Sequence, residues 1–325
     1  MQFALEGERQ HAAAWVHNTT GVEEWGKGWL VVVGTHIPLA WKPGVLSQEH
    51  FCYKGFHSIN VALVILPHSL WIVESVVGQP GSVQDSKVWA SGSNILKKPR
   101  LYLDKGEFIW VDGGYGHSAI TVGPFSHIAA NKSRDLRHFN YMLSRVQVRV
   151  EHAIAYLKNR FQCLTGYHGN IYHVEDHITT AQTIHACIVT HTFASRYGRP
   201  ADIANLLLPS FSEDEVSEVV QSLQLDASDT QELRRTRHTN QQEYKPDLAT
   251  ATQGMSQYAA SRLRSSAAND LREEMFQVLF RSTGRNEEDT TALSRRHEKT
   301  TVDYNAMTQS TSARWEQALT QPFSI

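Results

Sequence analysis

Residues 58–77, SINVALVILPHSLWIVESVV, hold two apolar, β-branched runs separated by Pro67-His68-Ser69. Runs of this length and composition read as buried strands, and the short proline-containing break predicts a tight hairpin. Toward the N-terminus, Trp29–Val33 (WLVVV) is a third such run. Toward the C-terminus, Glu107–Val111 (EFIWV) is a fourth, ending at Asp112-Gly113-Gly114-Tyr115. Gly78-Gln79-Pro80-Gly81 closes the hairpin, and Ser82 is placed to cap a helix through Val83, Val88 and Trp89. Further on, Leu143, Val146, Val150, Ile154, Leu157 and Phe161 step by three or four, which predicts a long amphipathic helix. A second apolar helix is expected over about 178–193. Three antiparallel strands, a crossover helix, further strands and flanking helices make an α/β plan built on an open mixed sheet.

The chain has 325 residues, and its near-zero net charge of −2 conceals an uneven distribution. Residues 1–200 carry 18 Lys/Arg against 14 Asp/Glu, whereas residues 201–325 carry 13 against 19. Fifteen of the 17 histidines precede residue 200. Past about Leu208, Ser, Thr, Gln, Glu and Arg replace the aromatic and β-branched residues. The expected organisation is an N-terminal segment (1–27), a folded domain (28–195) and a polar, largely disordered tail (196–325), because such a tail buries too little apolar surface to offset its ordering entropy. Within the tail, 213–225 and 259–281 show helical spacing and predict short amphipathic helices. No run of about 20 apolar residues occurs, so no membrane span is expected. Cys52, Cys163 and Cys187 are far apart and odd in number, which argues against a disulfide framework or a cysteine zinc site.

Sites in sheets of this kind gather at strand ends, and two acids are well placed there. Asp112 directly follows a buried strand and precedes two glycines that let backbone approach a ligand. Glu151 lies on the long helix, on a face shared with Ser144, Gln147, Ala155 and Lys158. Two hard oxygen ligands converging from strand and helix suit Mg²⁺ or Mn²⁺; a turn Asp and a helix Glu paired with Lys158 or Arg149 is the bland alternative. The same helix carries Arg145, Arg149, His152, Tyr156 and Arg160 at helical spacing, preceded by Lys132, Arg134 and Arg137. Residues 132–160 hold seven Lys/Arg against Asp135 and Glu151. Lys132, Arg134, Arg145, Arg149, Lys158 and Arg160 are therefore candidate DNA-phosphate contacts, with a solvated helix face as the alternative.

In order along the chain come VGTHIPL (33–39), YKGFHSINVALVILP (53–67), IVESVVGQPGSVQDSKVW (72–89), VDGGY (111–115) and FNYMLSRVQVRVEHAIAYLKNRF (139–161). Together they resemble the catalytic domain of Harbinger-type transposases, eukaryotic members of the DDE superfamily with an RNase H-like fold. The resemblance implies divalent-metal-dependent cleavage and strand transfer at DNA phosphodiester bonds. By that resemblance Asp112 is the second metal-binding acid, Glu151 the third, and both are catalytic. Asp85, on the expected crossover helix, matches an accessory family acid, and His36 belongs to the same opening-strand motif. The first acid is missing: where the family reads Asp-Gly-Thr, this chain has Val33-Gly34-Thr35. Valine cannot ligate a metal, so impaired activity is expected, with Glu74 the best substitute that the sequence offers. Smaller departures are Ala155 and Asn159 in place of helix glycines, and Thr190-His191-Thr192 in place of Leu-His-Asn.

The resemblance also implies a nuclear location and a separate DNA-binding partner protein. Only about 28 residues precede the first strand, so end-specific DNA recognition is expected to come from elsewhere; an oligomer is compatible with this plan. A catalytically inactive, transposon-derived DNA- or protein-binding protein is the alternative reading. His168, His173 and His177 do not make a convincing zinc set, since no fourth ligand accompanies them. No nucleophile elbow, P-loop or dinucleotide fingerprint is present.

Overall fold

The computed structural model describes residues 4–115, 118–233 and 257–282. Its centre is one five-stranded sheet in the order β3-β2-β1-β4-β5. Strands β1 (Leu30–Pro38), β2 (Ser58–Ile65) and β3 (Ile72–Pro80) are antiparallel, while β4 (Ile109–Trp110) and β5 (Thr121–Val122) run parallel to β1. This is the mixed α/β sheet expected of an RNase H-like domain. The hairpin read from residues 58–77 is present, with Leu70 in the left-handed region at φ 58° inside its turn. All eight residues of β2 are buried, because helices cover both faces of the sheet. That burial explains a continuous apolar run where a half-exposed strand would alternate.

Alternation still sorts the side chains between two cores. Val31, Val33 and Ile37 of β1 face one layer with Leu63 and Trp110; Leu30 and Val32 face the other with Val64 and Ile109. The second layer is closed by α3 (Asp85–Gly92) through Val88 and Trp89, and by Ile95 of the short α4 (Asn94–Lys97). Gln84, not Ser82, is the N-cap of α3.

The first layer is closed by α6 (Arg134–Arg160), which follows the short helices α2 (Ser47–His50) and α5 (His127–Lys132). Phe139, Leu143, Val146, Val150, Ala153 and Leu157 form its buried stripe at alternating steps of four and three. The helix begins nine residues before Leu143. Its polar first turn shows little apolar periodicity, but the Ser133 side chain accepts from the Leu136 amide and supplies the start. β5 has only two residues, too few to show a strand pattern in the sequence.

The segments outside 28–195 also build the core. α1 (Glu6–Thr20) and a following turn bring Trp25 against Trp110 at 4.8 Å and Phe139 at 5.3 Å between ring centroids. α7 (Val174–Tyr197), α8 (Pro200–Leu207), α9 (Glu213–Leu233) and α10 (Gln257–Ser282) follow. Both stretches marked by helical spacing in the tail are thus helical, within α9 and α10. They are packed rather than free: Val219, Leu223, Met275 and Leu279 join the first core layer. The Trp25 indole donates to the Met275 carbonyl at 3.0 Å. Burying a tryptophan contributes roughly 4–6 kcal/mol of gross transfer free energy, which ties the turn after α1 and α10 to the sheet. The rest of the stretch expected to lack structure, 234–256 and 283–325, lies outside the described residues.

Candidate active site

β1 and β4 pair in parallel with Val31 opposite Trp110, so two residues later Val33 stands level with Asp112. β4 ends at Trp110, the Val111 amide still donates to the Val122 carbonyl at 2.9 Å, and the chain then turns. An Asp112 carboxylate oxygen accepts from the Gly113 amide at 2.6 Å, and its carbonyl accepts from Tyr115 at 3.0 Å. α6 is pinned at this height because Gln147 donates its side-chain amide to the Val111 carbonyl at 2.7 Å. Glu151 follows Gln147 by one helical turn and therefore faces Asp112. Desolvation and the nearby Asp112 charge raise the Glu151 carboxyl above its ordinary value, with Lys54 opposing them. Both acids are exposed to solvent. Val33 is partly buried and packs into the first core layer.

A third carboxylate reaches the same strand ends from the opposite face of the sheet. Asp85, the first residue of α3, lies over Gly34: a Cβ at that position would meet the Asp85 carboxyl carbon at 2.4 Å. Only glycine leaves that space. Asn60 on β2 holds the arrangement, donating at 2.7 Å to one Asp85 oxygen and at 2.8 Å to the Val83 carbonyl. The other oxygen lies 4.0 Å from where a Cβ on Gly114 would stand, beside the Asp112 turn. Burial chiefly, with the Asp85 and Asp112 charges added, pushes the hydroxyls of Tyr53 and Tyr115 upward.

Cationic groups border the acids. Lys54 is exposed on the β1–β2 connection beside Tyr53, which is 83 % exposed. Lys158, two turns beyond Glu151, donates to the His36 carbonyl at 3.1 Å. Burial, with a smaller contribution from Lys54, lowers Lys158 to about 8. His36 contacts the Ser58 hydroxyl at 3.0 Å, and burial lowers it to about 4, so its ring is neutral at pH 7. Lys158 therefore belongs to the wall of the site rather than to an outer basic face.

The basic face expected along α6 does not exist as one surface. Lys132 and Arg145 are exposed and Arg134 is half-buried. Arg149 is buried at 3 % exposure, pairs with Glu218 of α9 at 2.6 Å and lies 4.9 Å from the Trp15 ring of α1. Arg160 donates to the Tyr156 hydroxyl at 2.7 Å and to His191 of α7 at 3.2 Å. Helices added outside the sheet convert these cations from candidate phosphate contacts into internal ties. Glu74 is likewise committed elsewhere. It lies on β3, two strands from β1, and its carboxylate accepts from Ser93 at 2.6 Å and from the Asn94 amide at 2.7 Å, capping α4.

Three features of the site escape a reading of the sequence: Asn60, the Tyr53–Lys54 pair and the position of Asp85. Asn60 carries a signal, being the only side-chain amide inside an otherwise apolar buried run. Such a residue needs a partner, and Asp85 is that partner.

Residues 32–191, just under half of the chain, match the family model described as DDE superfamily endonuclease. No curated protein and no solved structure matches. The match supports a nuclease of transposase type, with DNA as the substrate class and divalent metal as the usual cofactor of the superfamily. Among the described residues, no helix is long and apolar enough to cross a membrane.

Proposed function

We propose that this chain is a Harbinger-type, transposon-derived protein that engages DNA and retains a weakened capacity for phosphodiester cleavage. The observation that carries this reading is the convergence of Asp112 and Glu151 from separate rigid elements, beside a valine where the Harbinger resemblance implies an acid. The donor set fits Mg²⁺ or Mn²⁺. It consists of hard carboxylate oxygens, and like charges close enough to raise Glu151 are relieved by a cation between them. Asp112 and Glu151 would hold such ions, with Asp85, held by Asn60 on the other face of the sheet, as the next carboxylate at these strand ends. When bound, the metal supplies activation of water or a 3′-hydroxyl and stabilises charge on the attacking and leaving oxygens.

The protein's own groups do the remaining work. Lys54 and Lys158 set positive charge at the edge of the acids, where a DNA phosphate approaches. Gln147 keeps Glu151 at the height of Asp112, and Asn60 keeps Asp85 against Gly34. Val33 offers neither oxygen nor charge, and its methyl groups disfavour water in the place of the missing carboxylate. Nuclear action alongside a separate DNA-binding protein follows from the same resemblance.

The test is nicking of supercoiled plasmid in Mg²⁺ and in Mn²⁺, comparing the chain as it stands with Val33→Asp. Weak nicking that rises on the order of 10²-fold or more in Val33→Asp is expected, since removing a single transition-state donor already costs about that much. A second reading, an inactive DNA- or protein-binding derivative, is favoured by the apolar side chain at position 33. It prevails if folded Val33→Asp protein shows no metal-dependent nicking.

A further inference from the structure

We propose that His11, His68 and Asp226 form a second, separate metal site, for one divalent transition-metal ion of the zinc class. The three residues come from α1, the β2–β3 turn and α9, and two of them lie outside the segment that matches the nuclease family. Their donor atoms all lie within 4.8 Å of one another. His11 Nδ1 stands 3.0 Å from Asp226 Oδ1, while His68 Nε2 stands 3.1 Å from Oδ1 and 2.9 Å from Oδ2. In a tetrahedral zinc site, bonds of about 2.0–2.2 Å place neighbouring N and O ligands roughly 3.3 Å apart. The two His–Asp edges therefore need to open by only a few tenths of an ångström to admit an ion. Two imidazoles and one carboxylate are a donor set for zinc, cobalt or nickel rather than for Mg²⁺, which prefers oxygen and water.

The turn that carries His68 places this ligand in the interior. Hairpin turns ordinarily send polar side chains to solvent, but His68 and Ser69 are buried, and Leu70 beside them holds a left-handed φ of 58°. A β-unbranched but bulky residue in that region is strained, and such strain persists where the surroundings over-determine it. Core burial of Leu70 and its amide bond to the Leu66 carbonyl at 2.9 Å are that determinant, and the turn so held carries His68 to Asp226. The side chains of His68 and Asp226 are 3 % and 4 % exposed, whereas His11 is 34 % exposed. The part-exposed His11 side chain is where an ion would enter, with water as its fourth ligand. The ion would cross-link the N-terminal helix, the central hairpin and α9.

The experiment is a Co²⁺ titration of the full chain bearing Asp112→Asn and Glu151→Gln, which removes the acid pair from the reckoning. One equivalent of cobalt with visible absorption of tetrahedral type is expected, displaced by Zn²⁺ and accompanied by a higher Tm. His11→Ala, at the part-exposed ligand, should weaken binding at least ~10–100-fold, the range that removal of even a group hydrogen-bonded to a ligand produces. Absence of the cobalt band overturns the proposal, leaving a hydrogen-bonded His–Asp–His tie. Cobalt binding of full strength in folded His11→Ala and His68→Asn overturns it equally. Neither result bears on the nicking assay, which reads the other site.

Discussion

On one flank of α6, Gln147, Glu151 and Lys158 reach the ends of β1 and β4; on the other, Arg149, His152 and Arg160 lie beneath α1, α7 and α9. Both flanks read alike in sequence, as charged and polar residues at helical spacing. They differ in what the rest of the chain brings to them. The first flank meets the open strand ends, where acids can be kept close without being neutralised. The second is answered residue by residue, Arg149 by Glu218 and Trp15, Arg160 by Tyr156 and His191. Helical spacing identifies neighbours along one element, but only tertiary contacts decide whether a cation is available to a ligand.

The comparison breaks most sharply in activity. In a Val33→Asp background, Asp112→Asn or Glu151→Gln should abolish metal-dependent nicking, a loss of at least ~10²–10³-fold, whereas neutralising Arg160 should leave the rate within a few-fold. Single-turnover nicking of the three variants checks this. Loss of activity in the Arg160 variant alone would show that the two flanks are not separate.

Stability is the converse readout. Arg149→Glu buries a carboxylate beside Glu218, which is itself 44 % exposed, so the cost is that of one buried group left without its partner, about 1–3 kcal/mol. Urea unfolding should show a fall of that order, while Arg145→Glu, at an exposed position, should fall within about 0.5 kcal/mol of the parent.

The covered flank should also be sensitive to acid. Burial lowers His152 to about 4 and His191 to about 3, below the ordinary value near 6.5. The unfolded chain then takes up protons first, so the stability these rings contribute is complete above pH 6.5 and is lost progressively below it. For the fully buried His191, roughly 2 kcal/mol should disappear between pH 7.5 and pH 5, and His191→Phe should flatten the corresponding drop in Tm. An unchanged pH profile in that variant would assign the acid sensitivity elsewhere.

The smallest effect expected is in DNA affinity. Lys132→Glu and Arg145→Glu should each reduce the log–log salt slope by roughly 0.9 for every DNA phosphate that the side chain neutralises, and Arg149 variants that remain folded should not change it. Fluorescence anisotropy across a salt series separates these outcomes.

The hairpin and the opening strand are legible in the sequence as continuous apolar runs that two-sided burial requires, and the buried stripe of α6 as a helical period. β5 and the start of α6 are not, since two residues show no alternation and a polar first turn shows no stripe. In the candidate site, Asp112 stands out by following a strand and Glu151 by its place on the helix margin. Asp85 reads as an accessory because its nearness to Gly34 is a contact across the sheet, invisible to spacing. Glu74 reads as a substitute ligand because the sequence carries no sign that its carboxylate caps α4.

Trp25 carries a practical consequence. Its ring lies against Trp110 and Phe139 from outside the family-matched segment, and its indole reaches a carbonyl of Met275. A fragment trimmed to residues 32–191 would keep the acids but strip the lid from two large aromatics, turning a packed interior into a sticky surface. Boundaries drawn by homology are thus poor boundaries for expression here. The smallest piece suited to the bench begins with α1 and ends with α10.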